Sequence, residues 1–293
     1  MVEPNFRSGF VALVGRPNVG KSTLLNALVG QKIAITSPVA QTTRNRLRGI
    51  VTTPSAQIIL VDTPGIHKPH HLLGSVLVEN ATRAIKAVDL VVLVVDGSVA
   101  LGRGDEFIFD LIQRAKVPFL IGINKIDRCE KEDTILSYQS LGQWVSFSAL
   151  QGSQIDRLQT SICEHLPPGP HYYPPEMVTD QPERFIMAEL IREQILLHTR
   201  EEVPHSVAVA IDRVEEKKDI TAVLATIYVE RASQKSILIG EKGQMLKTIG
   251  SLARLQMQKM VMGKVYLELF VKVQPKWRSS KFHLSELGYH TKE

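Results

Sequence analysis

Gly15-Arg16-Pro17-Asn18-Val19-Gly20-Lys21-Ser22 decides how this chain is read. The stretch meets G-x-x-x-x-G-K-[ST] at every fixed position, and its surroundings come in the required order. Ahead of it, Gly9–Val14 is a short apolar run that predicts a buried strand. Behind it, Thr23–Val29 predicts a helix that Gly30 stops. A loop between strand end and helix start can wrap phosphates, because glycines let successive N–H groups converge on an anion that the helix N-terminus already favours. Lys21 is expected to reach the β- and γ-phosphates and Ser22 to ligate Mg²⁺, with Thr23 next in line on the helix. The pattern points to a bound nucleoside triphosphate.

Downstream, Lys32–Ile35 reads as a short strand leading into Thr36–Arg44, a polar stretch of low periodicity that predicts a mobile loop. A loop that orders around a γ-phosphate needs a hydroxyl able to reach Mg²⁺, and Thr42 and Thr43 are the hydroxyls available. Thr43 joins Ser22 and Asp62 as a candidate metal ligand. Gln57–Val61 predicts a second buried strand, ending in Asp62-Thr63-Pro64-Gly65. The acid can hold the Mg²⁺ shell, and Gly65 lets a backbone N–H approach the γ-phosphate and report its presence.

Leu90–Val95 and Phe119–Ile123 are almost continuous apolar runs, as a parallel sheet covered on both faces demands. The second runs into Asn124-Lys125-Ile126-Asp127. The Asp127 carboxylate can accept from both N1–H and the 2-amino group of guanine. Against adenine it would be left buried and unpaired. Asn124 and Lys125 would brace and cover the base. Trp144–Phe147, a further strand, would bring the backbone of Ser148, Ala149 and Leu150 to the base edge. The implied ligands are GTP and GDP with Mg²⁺.

These strand-end motifs, in this order, resemble the translation-factor-related GTPases. The implied architecture is an α/β, doubly wound and mostly parallel sheet with its site at the strand carboxyl ends. Hydrolysis needs a positioned water and charge compensation. Ras-like enzymes place a Gln directly after the D-x-x-G glycine; here Ile66 follows Gly65, so intrinsic hydrolysis is expected to be slow and assisted from elsewhere. Asn18 resembles the loop asparagine that supports K⁺ activation in related GTPases; bracing of the loop is its alternative role. Lys21, Asn18, Thr42, Thr43 and Gly65 form the candidate catalytic and switch set. The polar stretch His67–His71 reads as a flexible loop, not a metal cluster.

The composition agrees with two domains in 293 residues. Cys129 and Cys163 match no metal spacing and read as reduced thiols of a cytoplasmic protein. No secretory signal is evident, and Leu90–Val95 is far too short to span a bilayer. The net charge of +5 is unevenly spread: residues 231–293 carry twelve Lys and Arg against four Asp and Glu. A basic end of this kind can mark a nucleic-acid face or merely a solvated one.

The proline-dense stretch Leu166–Pro175 predicts a semi-stiff spacer. The expected division is therefore a nucleotide domain over 1–168, a linker over 169–181 and a smaller α+β domain over 182–293 with a basic tail. Pro182–Thr199 has helical spacing, Val203–Val214 and Ile220–Val229 read as two strands, and Glu215–Asp219 as the turn between them. Lys235–Ile239, the loop Gly240-Glu241-Lys242-Gly243, a helix from Gln244 to about Met262, and the strand Val265–Val273 complete the order. A G-x-x-G turn alone is common. With a charged tip between two helices in a basic region, it resembles a KH domain of the helix-first type (type II). That resemblance implies that the glycines let a single RNA strand pass, that Lys235, Lys242 and Lys247 meet phosphates, and that Ile237, Leu238 and Ile239 are candidates for the wall of a groove for about four nucleotides, with core packing the alternative role for at least two of the three. Glu241 sits at the loop tip. Lys276 and Arg278, flanking Trp277, would extend the RNA surface, unless Trp277 simply packs.

Together these motifs, with Gln41-Thr42-Thr43-Arg44, Arg184-Phe185 and Gly288-Tyr289, resemble the Era-like bacterial GTPases that carry a C-terminal KH domain. The resemblance covers essentially the whole chain. It implies binding to single-stranded RNA near the 3′ end of 16S rRNA, a role in 16S rRNA processing and 30S ribosomal subunit assembly, and peripheral association with the inner membrane. The short Asp127–Ser148 interval and the Lys68–His71 stretch depart from the family pattern. A GTPase of tRNA modification is the alternative; it calls for a catalytic Cys or a cofactor motif, which the second domain lacks.

Overall fold

A computed structural model describes residues 6–39, 42, 47–63, 65–66, 82, 85–129, 132–261, 263–280 and 282–283. Gln41, Thr43, Arg44, Pro64, His67–His71 and Gly288–Tyr289 lie outside the described residues. The chain divides into two compact units, 1–36 with 40–180 and 181–293 with 37–39.

The first unit is built on six strands: β1 (Arg7–Val14), β2 (Leu47–Thr52), β3 (Ala56–Asp62), β4 (Leu90–Asp96), β5 (Phe119–Asn124) and β6 (Trp144–Ser146). Their order is β2-β3-β1-β4-β5-β6, parallel throughout except for β2, which runs antiparallel along β3. Every residue of β3 is buried, and Leu90 through Val95 have no exposed surface. Such strands need helices on both faces, which explains their unbroken apolar character. Each fully buried Val, Leu or Ile contributes about 1.5–3 kcal/mol, so these runs dominate the core. The register pairs Leu13 with Asp62, Val14 with Leu93 and Asp96 with Asn124. The strand ends that carry motifs therefore share one edge of the sheet.

Among the described residues the helices of this unit are α1 (Lys21–Val29), α2 (Arg103–Ala115), α3 (Glu132–Gln139) and α4 (Ile155–His165). Gly30 ends α1 at φ 75°, a left-handed turn that glycine adopts without penalty. Lys32–Ile35 is not a strand. Its backbone is held by the Asn26 side chain, which accepts from the Ile33 and Ala34 amides and donates to Ala34 O at 2.8–2.9 Å. A side chain on the helix thus satisfies groups that a ladder would otherwise serve. The edge strand β2 was not foreseen: Leu47–Thr52 follows a polar loop and mixes Arg, Gly and Thr with its apolar residues.

The proline-rich stretch is no free spacer. Ser8 Oγ donates to Pro170 O at 2.6 Å, and Ile50 N on the edge strand donates to Val178 O at 2.8 Å. Gln57, fully buried, accepts from the Tyr172 and Tyr173 amides at 2.7 and 3.0 Å and donates to Tyr173 O. Arg48 pairs with Asp180 at 2.7 Å. This strap covers the outer edge of β2 and blunts it against pairing with another strand.

The second unit runs α5 (Glu183–His198), α6 (Val203–Ser206), β7 (Ala208–Lys217), β8 (Ile220–Val229), α7 (Ala232–Ile239), α8 (Gln244–Met257) and β9 (Lys264–Val273). Its sheet order is β7-β8-β9, with a β7–β8 hairpin and β8 parallel to β9. The strand expected from Val203 begins only at Ala208. Pro204 opens a helical turn instead, and Trp277 Nε1 donates to Ser206 O at 3.0 Å, so Trp277 packs inside. Helix α8 ends at Met257, five residues short of its expected end.

Candidate nucleotide site and nucleic-acid groove

The loop after β1 is held by side chains that bind its carbonyls. Lys21 Nζ donates to Gly15 O and Arg16 O at 3.1 and 3.0 Å, Lys125 Nζ to Asn18 O at 2.8 Å, and Asn124 Nδ2 to Val19 O at 2.8 Å. Because a trans peptide places C=O and N–H on opposite sides, outward carbonyls turn the amides towards the inside of the loop. Asn18 at φ 63° and Gly20 at φ 99° supply the left-handed turns this wrapping needs. A Cβ on Gly20 would lie 2.3 Å from Asn124 Nδ2, so only glycine fits there. The result is an anion nest at the start of α1.

Burial lowers the Lys21 ammonium to about 8, with Asp62 opposing the shift. A phosphate beside it would favour the charged form. Ser22 Oγ donates to Asp62 Oδ2 at 2.7 Å, which places a hydroxyl and a buried carboxylate together beside the nest. These hard oxygens suit Mg²⁺, which takes few protein ligands and completes its shell with water and phosphate. Thr63 Oγ1 donates to Leu13 O at 2.8 Å and fixes the strand end. Gly65 then lies against the loop: a Cβ there would be 2.8 Å from Pro17 Cα and N. Ile66 N donates to Gly15 O at 3.2 Å, and its side chain is buried, so no side chain at that position faces a water.

The base motifs converge in the same way. Asn124 Oδ1 accepts from Ala149 N at 2.9 Å, tying β5 to the loop after β6. Ser148 Oγ donates to Asp127 Oδ1 at 2.5 Å, and Lys125, at φ 64°, also donates to Asp96 Oδ2 at 2.5 Å. For Asp96, burial pushes the carboxyl up, but hydrogen bonds from Lys125 and Ser98 outweigh it and hold Asp96 below the ordinary carboxylate range. Leu150 is 71% exposed, beside these groups and free of the core. The sequence reading missed Asp96 and Asp105. An acid closing the apolar β4 was a usable signal for the first. Asp105, on α2, offered none.

In the second unit a groove of about 880 Å³ runs between α8 and β9, whose outer edge pairs with no strand among the described residues. Leu246, Gly250, Leu267 and Leu269 give it an apolar wall, and Lys247, Arg254 and Lys264 supply positive charge. Gly243 opens it. The wall therefore comes from α8 and β9, not from Ile237–Ile239: Leu238 is fully buried, Ile237 is exposed, and neither they nor Ile239 line the groove. Lys235 and Lys276 do not line it either. Gly240, Glu241 and Lys242 form the turn leading to its mouth. Arg278 is engaged by Glu230 and by His205 O.

The family described as 50S ribosome-binding GTPase matches residues 10–125, and the KH domain matches residues 202–278. Fold and site thus define a P-loop GTPase followed by a KH domain. GTPase Era from Nostoc sp. is 67% identical over 99% of this chain and 92% of its own length, and GTPase Era from Synechocystis sp. is 63% identical over 98% and 94%. Two solved structures each superpose with TM-score 0.90 at 39% identity, covering 97% of this chain and 99% of theirs. One is Era in complex with MgGDPNP and nucleotides 1506–1542 of 16S ribosomal RNA. The other is a variant of Aquifex aeolicus Era bound to GDP·AlF₄⁻. The chain belongs to the Era family of GTPases.

Proposed function

We propose that this protein is a GTP-hydrolysing switch whose KH groove takes single-stranded RNA from the 3′ region of 16S rRNA during 30S subunit assembly. The observation that carries the reading is the groove opening at Gly243, with an apolar wall and basic side chains, in a chain that also holds a complete set of guanine-nucleotide motifs. Bases would lie on Leu246, Leu267 and Leu269, while Lys242, Lys247, Arg254 and Lys264 meet phosphates. The turn Gly240–Gly243 and the start of α8 let the backbone pass closely.

In the first unit, loop amides of residues 15–23 and Lys21 hold the phosphates, and Asp127, Asn124 and Ala149 hold guanine. Mg²⁺ would be held by Ser22 and Asp62, and when bound it supplies charge compensation at the β- and γ-phosphate oxygens. Thr42 and Thr43 remain our assignment for the loop that closes on the γ-phosphate, and Gly65 reports its presence. With Ile66 buried, attack by water lacks a side-chain orienter, so turnover is slow unless RNA or K⁺ beside Asn18 assists. A cytoplasmic location fits the two cysteines, Cys129 and Cys163, neither of them in a disulfide. Among the described residues no helix is long and apolar enough to cross a membrane, so contact with the inner membrane would be peripheral.

The test is GTP turnover with and without short RNA oligonucleotides of the 16S 3′ end, in Na⁺ and in K⁺. Stimulation by one RNA sequence is expected. Binding to no RNA, with turnover unchanged by all of them, overturns the reading of the groove.

A further inference from the structure

Arg16 lies inside the phosphate loop, yet its guanidinium turns away from the loop interior. Its Nε pairs with Asp105 Oδ1 at 2.7 Å, and that carboxylate is buried to 1% exposure in the first turn of α2. The other oxygen of Asp105 accepts from Gly102 N at 3.2 Å and from the Tyr138 hydroxyl at 3.4 Å. The Arg16 stem crosses α2 at Gly104, where a Cβ would come within 2.7 Å of Arg16 Cδ. The seat is therefore built: a buried acid oriented by two donors, and a glycine that leaves room for the arginine to reach it.

What this seat fixes follows from the neighbours of Arg16. Gly15 O accepts from Ile66 N, and Pro17 is the surface on which Gly65 rests. Residues 15–17 thus carry the end of the D-x-x-G segment. The later half of the loop is braced separately, by Lys125 on Asn18 O and Asn124 on Val19 O. We infer that Arg16, clamped by Asp105, is a positioning residue for GTP hydrolysis: it sets where Gly65 stands relative to the γ-phosphate and contributes little to holding GDP. The inference rests on the GTPase reading above.

The experiment measures single-turnover GTP hydrolysis and GDP dissociation on the full chain. Arg16→Ala is expected to slow hydrolysis about tenfold, since displacements of about 1 Å can cost up to a hundredfold, while GDP dissociation changes by less than about twofold because the substitution keeps every loop amide and the later half of the loop is braced separately by Lys125 and Asn124. Gly104→Ala removes neither charged group and favours the helix; it is expected to reproduce the hydrolysis defect by pushing Arg16 off its seat. Arg16→Lys, which can still reach a carboxylate, is expected to recover most of the rate. Wild-type hydrolysis in both alanine variants overturns the inference, and so does a parallel change in hydrolysis and GDP dissociation, which signals a generally loosened loop. Absence of hydrolysis in the wild-type chain would instead strike the GTPase reading itself.

Discussion

The two glycines of the Gly240–Gly243 turn are predicted to fail differently when given a side chain. Gly240 has φ 73° and ψ 178°, a conformation almost closed to other residues, and a Cβ there would lie 2.7 Å from Met245 Cβ and 3.0 Å from Met245 N. The strained backbone alone costs about 1–3 kcal/mol. The contact with the first turn of α8 cannot relax cheaply, so Gly240→Ala is expected to lose about 3 kcal/mol or more. Gly243, at φ 79° and ψ 9°, is left-handed too, but nothing lies within 4 Å of its missing Cβ. Its alanine variant costs only about 1–2 kcal/mol of backbone preference. At about 4–8 °C per kcal/mol for a domain of this size, the second unit should melt roughly 12–24 °C lower in Gly240→Ala and about 4–16 °C lower in Gly243→Ala. Buried Trp277 reports that transition in a Trp144→Phe background. Binding of the 16S oligonucleotide should reverse the ranking once folded protein is compared: a methyl at Gly243 stands at the groove mouth and should weaken binding about tenfold, or about 1.4 kcal/mol. The reasoning is refuted if Gly240→Ala melts with the wild type, or if Gly243→Ala binds RNA unchanged.

Gln57→Leu strips the part-buried amides of Tyr172 and Tyr173 of their acceptor; at about 1–3 kcal/mol for a fully buried orphaned group and less where water can reach it, the first unit should lose about 1–3 kcal/mol in urea unfolding. Proteolysis between residues 166 and 180 should quicken in parallel. Asp127→Asn should exchange guanine for xanthine preference by about a hundredfold or more, read from competition between GTP and xanthosine triphosphate, because the site then pairs with a base of opposite donor pattern. Lys247→Ala or Lys264→Ala should weaken RNA binding and lower the slope of log affinity against log salt by about one. Arg278→Ala, whose charge is already met by Glu230, should leave that slope unchanged.

The nucleotide unit was legible because each of its motifs is local. A phosphate loop, Asp62 or Asn124–Asp127 needs only a strand before it, and unbroken apolar runs announce those strands. What failed there failed through side-chain competition with the backbone. Asn26 satisfies the groups of Lys32–Ile35 that the sequence assigned to a ladder. Gln57 and Ser8 turn a proline-rich stretch into a strap, and no periodicity could announce contacts separated by more than a hundred residues. Asp105 belongs to the same kind: its partner is 89 positions away, and an acid in a first helical turn has a sufficient local explanation in the helix dipole.

The groove shows the limit from the other side. Its entrance was readable, because Gly240 and Gly243 need left-handed or extended conformations that few residues share. Its wall was not, because the apolar residues at Ile237–Ile239 and at Leu246, Leu267 and Leu269 look alike in sequence. Sheet order decides between them. With β8 between β7 and β9, β9 is an edge strand and α8 runs beside it, while α7 turns Leu238 into the core. Among the described residues no strand pairs with the outer edge of β9, and the concave, partly apolar surface lies there, next to α8. Basic side chains from α8 and β9 border the same surface, so positive charge gathers where half-buried leucines already line a groove for an extended polyanion.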